Sequence, residues 1–367
     1  MNGLWSLMEQ STWCMPHHLV HQGTSDHLPL PDRQAIDLNA GEVAKLVAWV
    51  RLLLHEDLDR VVSKVVVKRI DAELRRRIFE PYMSKRGFSW EGFANHFVNN
   101  WNIWCNGNVL KAAVFTLKGD EPYFTSVLNR SLYSADFFLD DYGEDGGCEE
   151  GPAYWREAGG RLLDYLDSLE RLFPKEAETY FSSQKLLQAI GKYAYKMRIT
   201  GNWFVNFADS VPVLTYPPEL LLKYGDLFKD EVMRKYAAFM WGAIKRGQQS
   251  SGSKSHFVAM LGSGDLNGFF SFVEIYSRLE SLKPEAPELD TVWLPDIQVM
   301  AVRSKKTTEV QEKSRFFLAA KAGNNCKNWE ILSRQVLTFF LFFIRRITQP
   351  QRRGQFHSLP GRTPGAD

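Results

Sequence analysis

The stretch Arg161-Leu162-Leu163-Asp164-Tyr165-Leu166-Asp167-Ser168-Leu169-Glu170-Arg171-Leu172-Phe173 sets the reading of the chain around it. Its leucines at 162, 163, 166, 169 and 172 recur three and four residues apart, with charged residues between them. Residues at that spacing share one face of a helix, so this is the stripe of an amphipathic helix with one apolar side. The same period runs through Val43, Leu46, Val47, Val50, Leu53 and Leu54, and again through Val61, Val62, Val65, Val66, Ile70, Leu74 and Ile78, with Pro81 marking the expected end. Helices are also expected over 103–117, 122–138, 153–173, 176–199, 218–228, 230–247 and 265–280. Connections bearing Gly or Pro separate them: Lys118-Gly119-Asp120, 142–152, Pro174 and 200–218. Helices in succession without alternating strands point to a mainly α architecture of helical hairpins. The first 40 residues read as irregular.

The pattern changes after Gly247. Residues Gln248 to Lys254 form a Ser/Gly/Lys-rich surface loop, and Leu261 to Asp265 a turn too short to cradle a nucleotide. Trp293 to Arg303 is rich in β-formers, and Phe316-Phe317-Leu318-Ala319-Ala320-Lys321 reads as a buried strand, so the pair looks like the first hairpin of a β domain. A strand or short helix fits 331–347, and sequence without periodicity follows from about 348.

Composition narrows the function classes. Charges nearly cancel, with 45 basic and 43 acidic residues, so there is no concentrated basic footprint of the kind nucleic acid requires. Cys14, Cys105, Cys148 and Cys326 are widely spaced with no CxxC pair, which fits reduced thiols better than a disulfide framework or a zinc site. Met1 to Trp13 lacks the basic and apolar regions of an export signal, and no run reaches the roughly 18 apolar residues of a membrane span. No membrane partner is expected, and a cytoplasmic location is the default expectation. The oligomeric state stays open. Dinucleotide, phosphate-loop, nucleophile-elbow and HExxH motifs do not occur.

Four stretches carry side chains suited to chemistry. Residues 98–108 gather five Asn and two Trp at the opening of a helix. Amides suit sugar hydroxyls or a carboxylate, and an indole offers a stacking face; helix capping by Asn explains part of the same pattern. Residues 140–155 place several acids on a Gly-rich loop ahead of Pro152, Tyr154 and Trp155. There Tyr154 is a candidate for proton transfer and Glu150 for positioning, while an acidic loop capping a helix explains the spacing as well. Gly201 to Asp209, with Asn202, Trp203 and Asn206, is again amide and aromatic, and reads equally as a turn. In Ser11 to His18, the adjacent His17 and His18 follow Pro16, which favours an extended lead-in that points neighbours opposite ways.

Taken in order, these stretches resemble the heparinase II/III family of polysaccharide lyases. The resemblance is carried by Thr12-Trp13-Cys14, Asn99-Asn100-Trp101-Asn102, Asp141 to Cys148, Glu150-Gly151-Pro152, Tyr154-Trp155, Gly201 to Asp209, Trp293-Leu294-Pro295-Asp296 and Ala320 to Asn325. It implies an (α/α) toroid over 1–285, followed by the first strands of an antiparallel β-sandwich over 286–325. It also implies β-elimination on a uronate-containing acidic polysaccharide. In such a reaction a base removes the proton alpha to the uronate carboxylate, an acid protonates the leaving oxygen, and neutral donors stabilise the enolate. Carried over, Asn99 and Asn100 contact the carboxylate, Tyr154 is the first choice for proton transfer and Tyr142 the second, with Glu150 beside them. Trp13, His17, His18, Trp101, Asn102, Trp155, Asn202, Trp203 and Asn206 would bind substrate.

The sequence departs from the family where Trp101 stands in a place often held by His, and again after Asn325. Family members continue into a His-Asn-His-Asn-Asp-like run that supplies a catalytic histidine and zinc ligands, whereas Cys326 to Val336 holds no His and His357 comes much later. No cofactor or metal is therefore expected here, zinc belonging to full-length relatives, and 326–367 reads as an aberrant or disordered tail on a truncated lyase. Two other functions remain open: a non-catalytic carbohydrate-binding protein, or an α/α-toroid glycoside hydrolase drawing two carboxylates from Asp140, Asp141, Glu144, Asp145, Glu149 and Glu150.

Overall fold

The computed structural model describes residues 2–24, 28–84, 88–94, 98–117, 120–251, 266–289, 291–304, 316–322 and 338–343. The turn expected at 261–265, residues 252–254 of the loop expected at 248–254, and most of the tail lie outside them, while 248–251 are not loop but continue the helix Glu231–Ser251. The chain is mainly helical with small antiparallel sheets. Among the described residues no helix is long and apolar enough to cross a membrane.

Capping chemistry sets several helix starts. Asp37 opens α2 (Leu38–Asp57) by accepting the Ala40 N–H, Ser63 opens α3 (Lys64–Leu74), and Asn99 opens α5 (Asn100–Thr116) by accepting the Trp101 N–H. Each cap satisfies an N–H that the helix itself cannot bond. The expected end at Pro81 gives way to a short helix, α4 (Glu80–Ser84), entered through a π turn at Arg75–Phe79. The widened turn spares the bond that a proline cannot make. The opening 40 residues are more regular than expected, with α1 at Asn2–Glu9 and a 3-10 turn at Pro16–Gln22.

Two expected long helices are broken. The stretch 153–173 divides into a 3-10 turn (Pro152–Glu157) and α7 (Gly159–Leu172), with Ala158 off helical geometry at φ −110° and ψ −81°. A Cβ on Gly159 would fall 2.6 Å from Trp155 Nε1, so the Trp155 ring needs a bare backbone there. The stretch 176–199 divides at Gln184, which is extended, into α8 (Pro174–Ser183) and α9 (Lys185–Lys196), and ends in a strand. The apolar stripes stay in phase across both breaks, which is why periodicity runs through them. The remaining helices are α6 (Glu121–Asp141), α10 (Pro218–Leu227), α11 (Glu231–Ser251) and α12 (Leu266–Ser281).

Helix α2 packs on α5, α5 on α7, α7 on α10 and α10 on α12. Helices α3, α6, α8 and α11 pair with α2, α5, α7 and α10 in turn. The Trp49 ring on α2 meets Phe270 on α12 at 5.1 Å, joining the two ends of the series.

Strands β1 (Arg198–Thr200) and β2 (Trp203–Phe204) form a small hairpin in what was expected to be loop. A four-stranded antiparallel sheet follows in the order β3 (Thr291–Leu294), β4 (Val299–Arg303), β5 (Phe316–Lys321), β6 (Thr338–Phe343). Its register pairs Met300 with Ala320 and Ala319 with Phe340. Strand β6 falls within the segment expected to be aberrant or disordered, and closes the far side of β5. One sheet face, with Val292, Leu294, Val299, Ala301, Phe317 and Ala319, joins the helical core, while Trp293 on the other face is exposed. That alternation is the period of a sheet covered on one side.

Candidate functional site

The Gly-rich loop after α6 is held between the helices and the sheet. Asp145 and Asp296 exchange bonds: the Asp145 N–H donates to Asp296 at 3.0 Å, and the Asp296 N–H to Asp145 at 2.8 Å. Asp145 also accepts from the Ile297 and Gly147 N–H groups. Gly146, at φ +71°, passes so close to the α9 backbone that a Cβ would lie 2.2 Å from the Ala189 carbonyl carbon. The loop then turns through Gly151, at φ +92°, whose Cβ would meet the Phe207 carbonyl at 2.4 Å. The Ala153 N–H donates to the Ser210 hydroxyl, so the 148–155 and 201–210 segments sit against each other. These contacts explain why this loop needs its glycines.

The loop brings Glu150 to the start of α5, where the Asn100 amide donates to its carboxyl at 3.2 Å. Burial, followed by the nearby charges of Asp209 and Glu149, raises the Glu150 carboxyl above its ordinary range. Asn99 is exposed, and its side-chain oxygen is taken by the cap. Next to it the half-buried Trp101 ring meets the His18 ring edge-on at 4.7 Å and His21 at 5.8 Å. The two histidines share a face because the Pro16–Gln22 segment is a 3-10 turn, in which residues three apart eclipse. The extended lead-in expected from Pro16 holds only at Met15, and His17 is exposed beside His18. Tyr154 is half-buried against the core.

From the sheet side, Lys321 on β5 lies over the Phe207 ring at 5.6 Å. Burial lowers its ammonium pKa, against which the Glu149 charge acts. Sequence reasoning passed over Lys321, His21, Asp37 and Asp209 as individual site residues. The signal for Asp209 was present in the Gly201–Asp209 stretch, whereas Asp37 lay in a segment read as irregular.

Several expected binding residues instead build the frame. Asn102 is fully buried, and its amide donates to the Trp90 carbonyl and to Ser134. Trp155 is fully buried, donating to the Ile190 carbonyl at 2.7 Å and packed on Tyr216 and Tyr224. Trp13 is 2% exposed and donates to the Leu7 carbonyl. A buried indole or amide takes a partner inside the protein, leaving nothing to offer a ligand. Tyr142 differs from these. Its hydroxyl is buried without a partner among the described residues, and burial drives its pKa far up. Asn202, Trp203 and Asn206 are half-buried on or beside the β1–β2 hairpin, and no described side-chain bond or ring contact ties them to Asn100 or Glu150. Of the carboxylates considered for hydrolysis, Asp145 is occupied as above and Asp141 accepts the Val98 N–H.

A second polar assembly lies deeper, among α2, α5, α7 and α10. Glu42 accepts from Trp104 at 2.6 Å and Asn108 at 3.2 Å, and pairs with Lys45 and Arg161. The Arg161 guanidinium stacks 3.9 Å from the Trp104 ring centre. Asp167 pairs with Lys223 at 3.0 Å, Arg171 at 3.2 Å and Lys111 at 3.5 Å. Burial alone would raise the Asp167 pKa, but these three cations outweigh it and hold the carboxyl far below its usual range.

Among the described residues no three His, Cys, Asp or Glu side chains gather as a metal ion would need. No protein family and no curated protein matches the chain.

Proposed function

We propose that the chain is a heparinase II/III-like polysaccharide lyase that acts by β-elimination on a uronate-containing acidic polysaccharide. The observation that carries the reading is the bond between Asn100 and Glu150, which joins the Asn-rich helix start to the Gly-rich loop fifty residues away. Asn99, Trp101 and His18 stand beside it, and Tyr154 follows Glu150 by four residues in the Pro152–Glu157 turn, giving amide, aromatic and phenol groups suited to a sugar acid. The helix series α2, α5, α7, α10 and α12 with its hairpin partners suits an (α/α) toroid, and the sheet suits the first strands of a sandwich.

In this reading Glu150 orients the Asn100 amide, and Asn99 and Asn100 hold the uronate carboxylate with neutral donors. Tyr154 takes the proton alpha to that carboxylate. The electron pair left behind forms the double bond, and the bond to the leaving oxygen breaks as Tyr154 passes the proton it has taken to that oxygen, which returns Tyr154 to its starting state. Lys321 and His18 bring positive or hydrogen-bonding character to a rim that is otherwise acidic through Glu149, Glu150 and Asp209. Incubating the protein with polyuronides tests this: new ultraviolet absorbance from unsaturated ends is expected. New reducing ends without absorbance would make it a hydrolase.

A carbohydrate-binding protein without catalysis is the second reading. It is favoured by the aromatic face of Trp101 and His18, which needs no Tyr154. Saturable binding without product of either kind would select it.

A further inference from the structure

The pairing of His18 with Asp37 extends the polysaccharide reading and rests on it. Asp37 is fully buried and every bond it makes is accounted for. One carboxylate oxygen accepts the Ala40 N–H at 2.8 Å, capping α2. The other accepts the Met15 N–H at 3.0 Å and lies 2.7 Å from His18 Nδ1. A carboxylate accepts but cannot donate, so the proton between them sits on Nδ1, and Nε2 is left as the ring nitrogen turned away from Asp37. The His18 side chain is 23% exposed, and Nε2 has no hydrogen-bond partner among the described residues. Contacts with Trp101 at 4.7 Å and His17 at 3.9 Å fix the plane of the ring.

We propose that Asp37 is a positioning residue that locks His18 in the Nδ1–H tautomer, so that Nε2 accepts a hydrogen bond from a hydroxyl of a pyranose stacked on Trp101. A helix cap alone needs only the Ala40 bond. The second oxygen, reaching back across the chain to Met15 and His18, ties the 3-10 turn to the start of α2 and sets the ring where Asn99 and Trp101 begin α5. The assignment makes His18 a determinant of which sugar hydroxyl is read, apart from the proton transfer given to Tyr154.

The test uses the full chain, uniformly 15N-labelled, in which two-bond histidine ring correlations report the tautomer and side-chain amide signals report Asn100, titrated with methyl β-D-glucuronide. The expected result is the Nδ1–H pattern for His18, a shift of its Nε2 on adding glucuronide, and loss of the Nδ1–H pattern in Asp37→Ser. Serine keeps a cap for α2 but is too short to reach His18. Glucuronide affinity should fall about tenfold in Asp37→Ser, the worth of one hydrogen bond. His18→Phe keeps the ring against Trp101, removes Nε2, and should show the same loss; it decides the matter should Asp37→Ser not fold. An Nε2–H tautomer in the wild type, or an unchanged tautomer in a folded Asp37→Ser, overturns the proposal. Glucuronide that shifts the Asn100 amide but leaves His18 still overturns it and leaves the lyase reading standing. Glucuronide that shifts no resonance sinks both.

Discussion

Helices α5 and α7 and their lead-ins each serve two polar assemblies of opposite character. At the start of α5, Asn99 is exposed and Trp101 half-buried beside His18, while Asn100, itself buried, donates to the half-buried Glu150, and this edge keeps spare hydrogen-bonding capacity. One to three turns further along, Trp104 and Asn108 bond Glu42, which also pairs with Arg161, and Lys111 pairs with Asp167, groups in which donors and acceptors are matched. The difference follows from water. A buried polar group must find its partner inside the protein, whereas a partly exposed one can hold a partner in reserve and exchange solvent for ligand. The inner network therefore reads as scaffold and the outer cluster as site. Glu219 breaks the rule, being 1% exposed with neither carboxyl oxygen bonded among the described residues. Burial pushes its pKa up to about 8, so at neutral pH it is held mostly as the uncharged acid.

Removing one member of the inner network should have the largest effect. Asp167→Ala leaves Lys111 and Lys223 buried without their shared anion, and should cost about 3–5 kcal/mol in denaturant unfolding at neutral pH. Because the folded Asp167 pKa is depressed, the stability it confers is present above the unfolded value and is lost as pH falls through the acid range. The gap between Asp167→Ala and wild type should therefore narrow with acid. A variant as stable as wild type at pH 7 would erase the distinction between scaffold and site.

Glu219→Gln tests the exception and should act in the other direction. The unfolded carboxyl loses its proton near 4.5 and the folded one near 8, so wild-type stability falls as pH rises between those values. The neutral glutamine escapes that fall and should be more stable at pH 8, by at most about 4 kcal/mol, with the advantage vanishing below pH 4.5. Parallel stability curves for the two proteins would show Glu219 to be bonded and ionised after all. Gly159→Ala, which crowds Trp155 Nε1 and Ile190, should cost about 1–3 kcal/mol by thermal unfolding.

The outer cluster should answer differently. Asn99→Ala removes a helix cap and should cost about 1 kcal/mol, while Asn99→Asp keeps the cap and should cost little. If both keep full stability, the cap contributes nothing and Asn99 belongs wholly to the site. Smallest of all, Tyr154→Phe should change stability by less than about 0.5 kcal/mol while removing activity. A large loss of stability would move Tyr154 into the frame beside Trp155.

How far the sequence revealed this depends on the kind of signal. The helices around Leu162–Leu172 and the strand at 316–321 were legible from their apolar pattern, whereas Trp293–Arg303, read as one arm of a hairpin, holds two strands, β3 and β4, joined by a turn at 295–298. The breaks at Ala158 and Gln184 were not, since the stripes stay in phase across them, and the packing of Gly159 on Trp155 and on Ile190 of a later helix shows only in the fold. The stretches holding the candidate site were legible as unusual concentrations of amide, aromatic and acid. Within them, which residue faces a ligand was hidden. Asn100 and Asn102 carry the same side chain, and only folding sends one to Glu150 and the other to Trp90 and Ser134. Asp37 had no local pattern at all; its role exists only once His18 and Met15 are brought to it.

The most direct test of the division between scaffold and site is a polyuronide elimination assay on wild type and Tyr154→Phe, with unfolding followed on the same samples. Ultraviolet-absorbing unsaturated ends from the wild type, none from Tyr154→Phe, and matching unfolding curves are the expected result. Absorbance that survives in Tyr154→Phe, or that never develops in the wild type on any polyuronide, would contradict the proposed elimination chemistry.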